Sequence, residues 1–123
     1  MNSTTFLRWF GVTRAALGLW LAVAPHKPGE LWFGSAQHPA STSALLRSVG
    51  GRDIGLGLGL AADPQPGSAW LRAGILADIV DAVAAVLSRD RVPTRNLLTG
   101  LVGAALYAVL GAMVAVRGLT SSR

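Results

Sequence analysis

Four apolar runs, at 6–24, 44–62, 69–88 and 96–116, alternate with short polar breaks along the chain. Each is close to the ~20 residues that an α-helix needs to cross ~30 Å of hydrocarbon. The breaks at 25–43, 63–68 and 89–95 all contain proline, and Pro25 and Asp63-Pro64 stop the first two runs where helical geometry cannot continue. Pro93 and Asn96 suit the entry to the fourth run, and Arg117-Gly118 closes it. Between Leu97 and Val116 the polar side chains are those of Thr99 and Tyr107 alone. Trp9, Trp20 and Trp70 fall near the ends of runs, and Trp32 lies in the first break, as an interfacial aromatic belt requires. The pattern predicts an all-α protein, a single membrane domain over 1–123 that forms a four-transmembrane-helix bundle with both termini on the same side.

Two other readings compete. A soluble bundle needs a polar face on every helix, and the fourth run has none. A signal peptide is suggested by Arg8 and Arg14 ahead of an apolar run that ends Ala22-Val23-Ala24, but the three later runs are themselves of membrane type. The first run is therefore kept as a helix.

Composition agrees with a lipid environment. Of 123 residues 51% are hydrophobic and 14% charged, against about a quarter charged in soluble domains. Mean hydropathy is +0.47. There is no cysteine, which excludes disulfides, thiolate metal sites and a cysteine nucleophile. The net charge of +5 does not indicate nucleic acid, because the arginines are scattered singly rather than gathered in a run. Basic helix ends instead match anionic headgroups, so the lipid bilayer is the expected partner and the cell membrane the expected location. Orientation is balanced: Lys27, Arg89, Arg91 and Arg95 on one side face Arg8, Arg72, Arg117 and Arg123 on the other. The compact Arg89–Arg95 group favours a cytoplasmic third loop, with dual topology left open.

Charge then changes the picture. Arg14, Arg52, Asp53, Asp78 and Asp81 sit within apolar runs, where ionised side chains are costly and usually face a bundle interior with a partner or a task. At ~1.5 Å per residue, Arg14, Asp53 and Asp78 fall near mid-depth and Asp81 about 4.5 Å nearer the side of the first and third loops. Tyr107 is near the middle of its run, and Arg47 lies closer to the interface on the Asp81 side. The predicted polar site is therefore Arg14, Arg47, Arg52, Asp53, Asp78, Asp81 and Tyr107. Its core holds two arginines against three aspartates, and arginine stays charged. Either Arg47 supplies the third positive charge, or one carboxylate is protonated, or a cation binds. Asp78 and Asp81 share a helical face, and two close carboxylates in low dielectric favour a bound proton on one of them.

Small residues recur on the same faces. Gly11, Arg14 and Gly18 form one stripe, and Gly74, Asp78, Asp81 and Ala85 another. Asn96, Gly100, Gly103, Tyr107 and Gly111 form a third. Gly51, Gly55 and Gly59 make two overlapping small-xxx-small steps, expected to pack helices together. Gly55, Gly57 and Gly59 do not form a phosphate loop, which needs a preceding strand and other spacing. His26 and His38 flank Glu30 twelve residues apart in a Pro/Gly-rich break, which is no recognised ligand pattern, so neither metal nor cofactor is expected. Neither histidine is in the polar layer, so no Ser-His-Asp arrangement arises. The stretch 28–34, with Leu31, Trp32 and Phe33, is expected to lie on the membrane surface or cap the bundle.

The core Arg47-Ser48-Val49-Gly50-Gly51-Arg52-Asp53, followed by a helix bearing Arg72, Asp78 and Asp81, resembles small bacterial four-helix membrane proteins, broadly the DoxX-type family. The resemblance implies fold and membrane location and assigns no reaction. Three functions stay open. One is small-solute or proton-coupled transport with the mid-depth carboxylates as exchange site, for which four helices call for a homodimer. Another is a membrane isomerase or cyclase acting on a lipophilic ligand, with an aspartic acid as proton donor. The last is a structural or assembly subunit whose ion network fixes helix register.

Overall fold

A computed structural model describes residues 1–34 and 40–121. Among them lie five helices and no strand: α1 Ser3–Val23, α2 His26–Phe33, α3 Ala40–Ala62, α4 Ala69–Leu87 and α5 Thr94–Ser121. The all-α expectation holds. The Asn2 side chain accepts from the Thr5 amide at 2.8 Å and caps α1, which ends ahead of Pro25. Ser68 caps α4 by accepting from the Trp70 amide at 3.2 Å. Its hydroxyl also donates to Asp63 at 3.0 Å, which ties the α3–α4 turn together.

The break at 25–43, read as a polar connection, contains α2. α3 likewise starts at Ala40 rather than 44, and α5 extends over Thr94–Ser121 rather than 96–116. An eight-residue helix has little stability alone, and tertiary contact supplies the rest. Gly34, at φ +73, ends α2 with its amide on the Glu30 carbonyl. Asn96, buried at the start of α5, donates through Nδ2 to the carbonyls of Leu31 at 2.9 Å and Glu30 at 3.3 Å. Asn96→Ala is expected to cost about 1–2 kcal/mol for these bonds. Hydrogen exchange should quicken at the amides of α2 while those of α1 and α3 stay protected; equal protection in α2 would refute the capping role.

The long helices alternate in direction. α1 and α3 are in the most intimate contact, with Gly11 against Gly57 and Ala61 and Gly18 against Gly50 and Ile54. α4 runs back along α3, with Trp70 against Gly59 and Asp81 against Arg52. α5 returns along α4, placing Gly111 on Leu71 and Ile75. Leu7, Phe10, Leu60 and Leu71 form a small core, with Tyr107 and Leu110 of α5 packed against it.

Polarity around the ion network is inverted relative to a water-soluble domain, while Leu7, Leu21, Leu46, Leu60 and Leu71 are buried as in any core. Arg14 and Asp78 are 4% and 5% exposed, while Trp9, Leu19, Leu76, Leu87, Val102 and Leu106 are each more than half exposed. Among the described residues two helices, α1 and α5, are long and apolar enough to cross a membrane by length and composition. α3 and α4 fall short of that measure because each carries three charges, Arg47, Arg52 and Asp53 on one and Arg72, Asp78 and Asp81 on the other.

Candidate functional site

Helical spacing puts Arg14 one turn from both Gly11 and Gly18 on α1. Those glycines bring α3 close to α1, and the Arg14 guanidinium leaving the same face reaches both α3 and α4. On α4 it packs over Gly74, where a Cβ would lie 3.6 Å from Arg14 Cζ, in ordinary contact. Arg14 Nη2 donates to Asp78 Oδ2, and Nη1 donates to Asp53 Oδ1 at 3.5 Å. Asp53 also accepts from its neighbour Arg52, through Nε at 3.2 Å and Nη2 at 3.1 Å. Arg52 then closes a two-point fork on Asp81, at 2.9 Å and 2.7 Å. The result is one continuous chain, Asp78–Arg14–Asp53–Arg52–Asp81, which links α1, α3 and α4.

Tyr107 of α5 joins through its ring. Arg14 Cζ is 5.0 Å from the ring centroid, within cation–π range, and Phe10 packs on the ring at 4.8 Å. The phenol hydroxyl donates to Thr13 Oγ1 at 3.2 Å. Thr13 was not among the expected site residues, although its place beside Arg14 was visible.

Arg47 differs from expectation. It is exposed and donates to the Ala22 carbonyl at the end of α1. The bidentate partner of Asp81 is Arg52, so the network keeps two guanidiniums against three carboxylates. The glycines differ as well. Gly50 and Gly57 form the face packed on α1, while a Cβ on Gly51 or Gly55 would meet nothing within 4 Å, and one on Gly59 would strike the Trp70 ring. Gly11 and Gly18 are seven residues apart, as are Gly50 and Gly57. That matched spacing was the available signal. His26 is exposed, Glu30 pairs with Lys27 at 3.7 Å, and His38 lies outside the described residues.

A crevice lined by Phe10, Leu56, Leu60, Trp70, Leu71 and Ile75 reaches down to Arg14, Asp78 and Tyr107. Its volume is about 10 Å³, room for about one water molecule. The Arg14–Asp78 end of the layer is thus closely packed, with a crevice the size of one water beside it.

Fold and site together define a small all-α protein in which a buried arginine–aspartate chain joins three helices beneath an apolar exterior. No protein-family model, curated protein or solved structure matches the chain.

Proposed function

We propose that the chain is a multi-pass membrane protein in which α1, α3, α4 and α5 all cross the bilayer with both termini on one side. Its Arg/Asp chain acts as the exchange site of a proton-coupled carrier for a small solute. The inverted polarity supports the membrane location. Four of the six charges that set α3 and α4 apart from simple spans, Arg52, Asp53, Asp78 and Asp81, are paired in the network, which offsets much of their cost in lipid. The likeness of the 47–53 core to DoxX-type proteins points the same way.

The observation that carries the exchange reading is the charge count. With Arg47 engaged on a carbonyl, two guanidiniums face three carboxylates, and the layer becomes neutral on binding one proton. A proton held beside a one-water crevice has a route on and off. In bilayer-reconstituted protein at neutral pH, the infrared spectrum is expected to hold a carboxylic-acid carbonyl band that shifts in heavy water. Asp78→Asn, which keeps an acceptor for Arg14, should remove the band and abolish proton flux into dye-loaded vesicles under an imposed pH gradient. A folded wild-type protein with no such band, or unchanged flux in the variant, would overturn the exchange reading.

The close packing at the Arg14–Asp78 end favours a second reading, a register lock for helix assembly. It predicts that the swap Arg52→Asp with Asp81→Arg retains function and that Asp78→Asn, which keeps the Arg14 contact, does so too; the swap keeps the charge count, so of the two Asp78→Asn is the variant that separates the readings. The small crevice gives less support to an enzyme on a lipophilic substrate, which needs room at the carboxylates.

A further inference from the structure

One face of α3 departs from the rest of the exterior. Ala44, Ser48, Gly51, Gly55, Leu58 and Ala62 all point outward and are exposed. Five of these six are small, whereas the exposed positions of α5 include the large side chains Leu98, Val102, Leu106, Val109, Met113 and Val116. At the edge of this face lies the Arg52–Asp81 pair, with side chains 33% and 37% exposed. The opposite end of the network is closed, Arg14 and Asp78 being 5% and 7% exposed at the side chain.

A guanidinium and a carboxylate left a third open at mid-depth are costly against lipid tails. Glycine, alanine and serine at that face offer lipid little to pack against but let a second helix approach closely. The open pair carries one positive and one negative group, so it is complementary to itself. A two-fold axis would bring the partner's Asp81 to Arg52 and the partner's Arg52 to Asp81 in a single isologous contact. We infer that the Gly51–Gly55 face of α3 docks a second copy of this chain, and that the dimer seals the open end of the charged layer. The inference rests on the membrane reading above.

The absence of native cysteine makes the test direct. Ser48→Cys and Leu58→Cys place single thiols on the face, and Val102→Cys places one on exposed α5. Oxidation in native membranes is expected to give disulfide dimers from the two α3 variants and not from the α5 variant. Gly55→Leu, added to Leu58→Cys, fills space that is open within one chain, so the chain still folds. Dimer yield should then fall about tenfold or more. No cross-link at either α3 position, equal cross-linking at Val102→Cys, or a yield untouched by Gly55→Leu would overturn the inference. Single-molecule photobleaching separates the two levels. A bilayer-embedded chain that bleaches in one step overturns the dimer alone and leaves the face to lipid or another subunit. A chain recovered outside the membrane overturns the membrane reading and the dimer with it.

Discussion

Gly57→Leu is expected to destabilise the fold by about 3 kcal/mol or more, whereas Gly55→Leu, two residues away on the same helix, leaves stability near the wild type. A Cβ on Gly57 would press on the Gly11 carbonyl oxygen, lie 2.5 Å from the Ala15 backbone nitrogen and lie 2.9 Å from the Ala15 Cβ. Two of those three atoms are backbone, so no rotamer change relieves the clash and the helices must part. The same holds at the other crossing, where a Cβ on Gly18 would lie 2.6 Å from the Gly50 carbonyl oxygen and 2.8 Å from the Ile54 nitrogen. Overpacking commonly costs about 1–3 kcal/mol, and a whole leucine against backbone belongs at or above the top of that range. The helix-propensity gain over glycine, about 1 kcal/mol at most, is too small to offset it. Parting α1 from α3 also draws Arg14 away from Asp53, so the ion network weakens with the packing. Reversible unfolding in mixed micelles, followed by circular dichroism, measures the difference. A Gly57→Leu protein of wild-type stability would show that α1 and α3 do not touch through these glycines.

Arg14→Met carries the second large effect, an expected loss of about 3–5 kcal/mol. The substitution leaves Asp78, 5% exposed, without its donor, and removes one of the donors to Asp53. The cation over the Tyr107 ring is lost with it. Most of the cost is that of a buried carboxyl group left without its donor, so replacing that group should return most of the stability. The double variant Arg14→Met with Asp78→Leu is expected near or above the wild type, because apolar side chains of similar volume often replace a buried pair without loss. The same unfolding measurement checks both proteins, and a single variant as stable as the wild type would mean that the pair is not formed. The double variant also discriminates between the functional readings. A register lock made redundant by good packing leaves function in place, while an exchange site is lost from a fully folded protein.

Much of the site was legible along the chain because helices make depth a matter of counting. Arg14, Arg52, Asp53, Asp78 and Asp81 were assignable to one layer from their positions within apolar runs, and they do form one connected chain. Their pairing was not assignable. Arg47 and Arg52 both lie on α3 within reach of the Asp81 level, and the choice of Arg52 depends on which way each guanidinium leaves the helix. The α2 helix was missed because its final carbonyls find their donor in Asn96, some 65 residues further on.

By itself, then, the sequence determined the long helices, their approximate ends, the small residues on their faces and the level of the charges along each helix. Each of these follows from local periodicity, proline and helix rise. Tertiary structure decided which small-residue stripe turns inward. Gly50 with Gly57, and Gly51 with Gly55, are equally regular stripes on α3, and periodicity cannot rank them. The ranking comes from the partner helix: Gly11 and Gly18 of α1 carry the matching spacing, and backbone meets backbone there. That contact set the rotation of α3, turning Asp53 toward Arg14 and leaving Gly51, Gly55 and the edge of the Arg52–Asp81 pair on the outside.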